Sequence, residues 1–134
     1  RRSLELDPGQ PLLQINLARA LIAAEGRAGA DEAVTLLSAA VAREPDNAFA
    51  WRELASARDL RGERALAELA SAEQNFSIGD YGRALNFAER ARRDLPRNTP
   101  AYQRAADIVT FAGQEVRDRA RERDRRSLDL PARR

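Results

Sequence analysis

The stretch from Gly79-Asp80-Tyr81 through Ala84, Ala88 and Ala91 to Leu95-Pro96 decides the fold. Its alanines recur at helical spacing and so line one stripe of a helix. The glycine stops whatever precedes it, and the proline cannot be continued through. The same signature stands earlier in the chain: Ala33, Leu37 and Ala40, then Pro45-Asp46-Asn47. Both copies describe a short helix with a small-residue stripe and a proline stop.

The spacings Ala33-x3-Leu37…Pro45 and Ala84-x3-Ala88…Pro96 fit the 34-residue tetratricopeptide (TPR) pattern, and Trp51-x2-Leu54-Ala55 matches the start of its signature. The expectation is an all-α, TPR-like solenoid of about six helices with a long C-terminal capping helix. The first helix should run from about Pro11 to Glu25, with Leu13, Leu17, Leu21 and Ala24 on its core face. Gly26-Arg27-Ala28-Gly29 breaks it, and Asp31 is a candidate N-cap for the second, which ends near Arg43. A third follows Asn47 and stops at Gly62; a fourth runs from about Glu63 to Ile78; a fifth from Asp80 to near Asp94. Thr99-Pro100 announces the sixth. Pro8 and Pro45 lie 37 positions apart, a repeat with three extra residues in a Gly-rich turn. Pro45 and Pro96 lie 51 apart, one and a half repeats. The repeat phase therefore slips between them. Either the fourth helix serves two hairpins or the superhelix has an irregular corner.

Composition narrows the function. Of 134 residues 43% are hydrophobic but only 5% aromatic, so the core is to be built from Ala and Leu. Charged residues are 33%, as suits a thin array with much surface. The net charge is only +2, and every cation is an arginine, which is no nucleic-acid footprint. Histidine, cysteine and lysine are all absent. Thiol and Schiff-base nucleophiles, the usual zinc ligands and the commonest general base are thereby removed. No catalytic, metal or cofactor site is expected in this chain. No apolar run reaches the ~20 residues that span a bilayer. The opening Arg1-Arg2-Ser3-Leu4-Glu5-Leu6-Asp7-Pro8 reads as the close of an earlier repeat, so the chain is expected to be a fragment. Residues 1–10 are the remnant of that repeat, 11–113 the solenoid, and 114–134 a charged helical extension and tail.

In such arrays the first helix of each hairpin lines the concave face. The peptide groove expected on that basis is Leu12, Ile15, Arg19 and Ile22 from the first helix, with Phe49, Arg52, Ser56 and Asp59 from the third. Apolar and arginine positions mixed in this way suit an extended peptide. Trp51, Leu54, Ala33, Ala84, Ala88 and Ala91 are read as packing residues; small side chains let helices approach closely. The run from Arg117 to Arg126 interleaves acids, with Glu115 placed to pair Arg119 and Glu122 to pair Arg126. It is read as an exposed helical face rather than a basic arm. Asn75-Phe76-Ser77 has the letters of a glycosylation sequon but falls inside a helix, so chance explains it.

Taken in order, these pieces carry a resemblance. Trp51-Arg52-Glu53-Leu54-Ala55, Gly62, Ala72-Glu73, Gly79-Asp80-Tyr81, Ala84, Glu89-Arg90-Ala91, Leu95-Pro96 and Tyr102-Gln103-Arg104-Ala105-Ala106-Asp107 are spaced as in a C-terminal TPR domain. The domain they resemble belongs to bacterial periplasmic zinc metallopeptidases related to the β-barrel assembly-enhancing protease. The similarity covers about residues 4 to 110. Where that family often has two aromatics after Ala-Glu, this chain has Gln74-Asn75-Phe76. The resemblance implies a non-catalytic interaction domain in the periplasm. It would engage substrate polypeptide or envelope-assembly partners and dock on an N-terminal protease domain carrying His-Glu-x-x-His. The rival expectation is a stand-alone TPR adaptor of a cell-envelope complex. The chaperone-tail clamp of other TPR domains wants Lys and Asn where this chain has Ile15 and Arg19.

Overall fold

The computed structural model describes residues 9–129. Among them every regular element is a helix and there is no strand. The order is α1 (Pro11–Glu25), a 3-10 turn (Gly26–Gly29), α2 (Ala30–Arg43), α3 (Ala48–Leu60), α4 (Arg64–Ser77), α5 (Tyr81–Asp94) and α6 (Pro100–Asp129). The expected remnant lies almost wholly outside the described residues, as do residues 130–134.

The helix ends are chemically marked. Asn47 caps α3, its side-chain oxygen accepting from the Ala50 N–H at 3.0 Å. Asp80 caps α5 by accepting from the Arg83 N–H at 3.1 Å, and Thr99 Oγ1 accepts from the Tyr102 N–H at 3.2 Å at the start of α6. Each satisfies a donor the helix itself leaves orphaned. Asp31 is not a cap: the 3-10 turn hands directly into α2, whose first residue is Ala30. The Asp31 carboxylate instead pairs with Arg61 beyond α3, at 3.0 Å. Gly29 is required by close approach, because a Cβ there would stand 2.7 Å from the Leu21 carbonyl oxygen.

Consecutive helices pack against each other along the chain, and α4 packs extensively on both α3 and α5. The fourth helix thus touches the helix on either side of it in the chain. Helices two apart in sequence also meet, α1 with α3 and α4 with α6.

Two apolar clusters hold these units. One gathers Ile15, Ala18, Ala33, Val34, Leu37, Ala40, Leu54 and Ala57, with Trp51 half-buried against it. The other gathers Leu69, Ala72, Ala84, Ala88, Ala91, Ala105 and Ile108. The alanine stripes of α2 and α5 are fully buried, as their spacing demands. The core face of α1 differs from expectation. Pro11, Gln14, Ile15 and Ala18 are buried, whereas Leu17 is 45% exposed. With leucines on two sides of α1, packing selects the side whose small Ala18 admits the neighbouring helix. Side chains of α6 are buried as far as Gly113; from Arg117 onward they lie open, Ala120 excepted, although the helix itself runs on unbroken.

Candidate functional site

The face shared by α1 and α3 gathers most of the residues expected to form a groove. Arg19 reaches from α1 to α3, its guanidinium carbon 5.5 Å from the centroid of the Phe49 ring. Its Nε stands 3.9 Å from the Glu53 carboxylate, a loose pairing. Phe49 is 40% exposed, so apolar surface meets the cation in solvent, and Leu12, 63% exposed, stands two turns earlier on α1. Arg52, Ser56 and Asp59 follow along α3, all exposed and on one face by their spacing. Two expected members are elsewhere: Ile15 is fully buried in the first core, and Ile22 packs partly buried against it. Their i, i+3/i+4 relation to Arg19 suggested a shared surface, but the helix turns that side inward.

Asp59 leads into a small hollow of about 190 Å³ with α4 as floor and α5 as far wall. Arg64, Glu68 and Ser71 line it from α4, Phe87 and Arg90 from α5. Arg90 lies over the Phe87 ring at 4.9 Å and 3.9 Å from the Glu68 Oε2. Glu68 Oε1 is buried with no hydrogen-bond partner. An unsatisfied carboxylate oxygen favours a donor arriving from outside, such as a backbone N–H or an amine. Sequence reasoning passed Glu68 over, because nothing in Glu68-Leu69-Ala70 marks one carboxylate as buried.

Trp51 is a packing residue. It is half-buried, and its Nε1 donates to the Pro45 carbonyl at 2.7 Å, pinning the turn into α3. Asn75 is buried, and its amide donates to the Ser71 carbonyl inside α4 at 2.8 Å. The sequon letters thus mark no accessible site.

The acid–arginine pattern of the extension is largely solvated. Arg121 pairs Asp118 at 3.0 Å, Arg125 pairs Glu122 at 2.9 Å and Arg126 pairs Glu122 at 3.5 Å. Arg119 departs from the expected pairing with Glu115. It folds back over the Tyr81 ring at 4.8 Å and donates to the Gly79 carbonyl at 3.4 Å. The start of the extension is thereby anchored on the α4–α5 turn.

Among the described residues no group of three acids stands close enough to hold a metal, and no helix is long and apolar enough to cross a membrane. No protein-family model, curated protein or solved structure matches this chain.

Proposed function

We propose that this chain is a non-catalytic, TPR-like protein-interaction module that binds extended polypeptide along α1 and α3. The observation that carries the reading is Arg19, poised between Phe49 and Glu53 on an exposed face. A cation over an aromatic ring, held only loosely by its acid, is placed to donate hydrogen bonds to a carbonyl or carboxylate of a bound chain. Leu12 and Phe49 supply apolar contact, and Arg52, Ser56 and Asp59 supply polar contact at intervals along α3. The packing of α4 on both α3 and α5, and the contacts of α1 with α3 and α4 with α6, suit a TPR-like array whose phase slips once.

The order of motifs from Trp51 to Asp107 supports a narrower reading. The module would be the C-terminal interaction domain of a periplasmic zinc metallopeptidase, docked on the protease domain that carries the metal. The chemistry would then lie entirely in that domain.

The test is selection of random peptides on the whole chain, followed by amide chemical-shift mapping of the selected peptides. Perturbations gathered on Leu12, Arg19, Phe49, Arg52 and Ser56 support the reading. Selection of no peptide, or perturbations gathered on residues 117–126, overturns it.

A further inference from the structure

A second site is built where α5 passes into α6. Arg92 and Arg93 occupy the last turn of α5. Leu95 leaves the helix in an extended conformation, as the residue before a proline must. Thr99 Oγ1 then donates to the Pro96 carbonyl at 2.7 Å and closes the loop that carries Arg97. These three arginines, with Leu95 and the half-buried Tyr102, line a cavity of about 420 Å³.

No acid lines this cavity, and among the described residues none of the three arginines has a carboxylate within ion-pair distance. Among the described residues Arg27, Arg52, Arg64, Arg117, Arg119 and Arg123 also stand without an acid partner; what sets Arg92, Arg93 and Arg97 apart is that they line one cavity together. Arg58, Arg61, Arg83, Arg90, Arg104, Arg121, Arg125 and Arg126 each have an acid partner. Three converging like charges repel one another. The negative end of the α5 dipole offsets Arg92 and Arg93. It does not account for Arg97, which lies beyond the helix, or for the phenol of Tyr102 beside it.

We propose that this cavity is an oxyanion site for a phosphomonoester dianion, free or carried on a partner side chain. Guanidinium forks match phosphate oxygens bidentately, and three of them can meet the three terminal oxygens of one phosphoryl group. The Tyr102 hydroxyl adds a donor, and the buried Leu95 gives the cavity an apolar wall. The arginines stay charged at every accessible pH, so only the ligand titrates. A phosphomonoester gains its second charge near pH 6. Binding should therefore strengthen as pH rises through about 6, whereas a carboxylate ligand is already fully charged there. This site is independent of the polypeptide face on α1 and α3.

The experiment follows the Nε–Hε signals of the full chain by NMR at constant ionic strength, with chloride as balancing anion. Three probes are titrated: orthophosphate, a short phosphoserine peptide with its unphosphorylated form as control, and acetate. The expected result is saturable shifts of Arg92, Arg93 and Arg97 with phosphate or phosphopeptide, stronger at pH 7.5 than at pH 5. Tighter binding of the phosphopeptide than of orthophosphate assigns the carried group, and the reverse order assigns free phosphate. Arg93→Gln and Arg97→Gln, both at exposed positions, should each weaken binding about tenfold, the scale of one charge-assisted hydrogen bond. Unchanged circular dichroism would show that the fold survives. Non-saturable shifts, equal response to acetate, or equal shifts at Arg121 and Arg125 would overturn the proposal.

Discussion

Glu73 on α4 and Arg104 on α6 clasp each other by two hydrogen bonds, Nε to Oε2 at 2.6 Å and an Nη to Oε1 at 2.8 Å. The Glu73 side chain is only 8% exposed, while Arg104 is partly open and lies over the Phe76 ring at 5.4 Å. This pair ties α4 to the long terminal helix. Replacing Arg104 by Ala strands a buried carboxylate. With the partial exposure of the arginine taken into account, we expect a loss of about 1–3 kcal/mol. Urea unfolding reads it directly. A smaller loss for the double variant Glu73→Leu, Arg104→Leu is expected, because no charge is then left unpaired.

The hydrogen bond to Glu73 raises the Arg104 pKa above its ordinary value, against the lowering effect of burial. A raised cation gives stability that is fully present below its unfolded pKa and lost only as pH climbs through the folded one. That window lies far into the alkaline range. With no histidine, cysteine or lysine in the chain, unfolding free energy should stay level from about pH 6 to about pH 9. A change above about 1 kcal/mol across that range would show a group titrating near neutrality with different affinity in the folded and unfolded chain.

Phe76, Tyr81 and Phe111 form a mutual edge-on trio, with centroids 5.4 to 5.8 Å apart. It locks α4, the start of α5 and the middle of α6 together. A double-mutant cycle on Phe76→Leu and Phe111→Leu should show a coupling of about 0.5–1.5 kcal/mol. Additive losses would mean the rings act only through burial.

Gly79 sits at φ +78°, in the left-handed region. Nothing crowds the place where its Cβ would stand, so strain alone decides the effect. Gly79→Ala should cost about 1–2 kcal/mol in thermal unfolding, without displacing Arg119 from the turn.

Ile15 and Leu17 settle which side of α1 is core. Ile15→Ala should cost about 2–5 kcal/mol, and Leu17→Ala much less. The reverse ranking would restore the leucine stripe as the buried side.

Much of the helix pattern was legible because it rests on local chemistry. Gly62, Gly79, Pro45 and Pro96 punctuate the chain whatever surrounds them, and Asn47, Asp80 and Thr99 cap by their own side chains. The alanine stripes of α2 and α5 were legible because only one side of each helix is small. Helix α1 was not: Leu12, Leu13, Leu17 and Leu21 spread over two sides, and contact with α2 and α3 chose between them. Long-range partners left no trace in the letters. Nothing near Arg104 names Glu73, 31 positions away, and nothing near Arg119 names Gly79, 40 positions away. Of the expected groove, the exposed arginines and Phe49 meet on one face. Ile15 was lost to the core for the same reason as the leucine stripe.

The most direct measurement is the affinity of a selected peptide for two variants of the chain, with circular dichroism confirming both folds. One carries Arg19→Ala with Arg52→Ala, the other Arg121→Ala with Arg125→Ala. The tail arginines are exposed and already paired, so their loss should change affinity by well under about 1 kcal/mol. Arg19 lies over the Phe49 ring and Arg52 follows Phe49 by one turn of α3, and a charge-assisted contact made there is worth about 1.5–3 kcal/mol. The α1–α3 variant should lose at least about tenfold in affinity, with the tail variant unchanged. A tail variant that loses binding while the α1–α3 variant keeps it would contradict polypeptide binding along α1 and α3 and make the terminal helix the binding element.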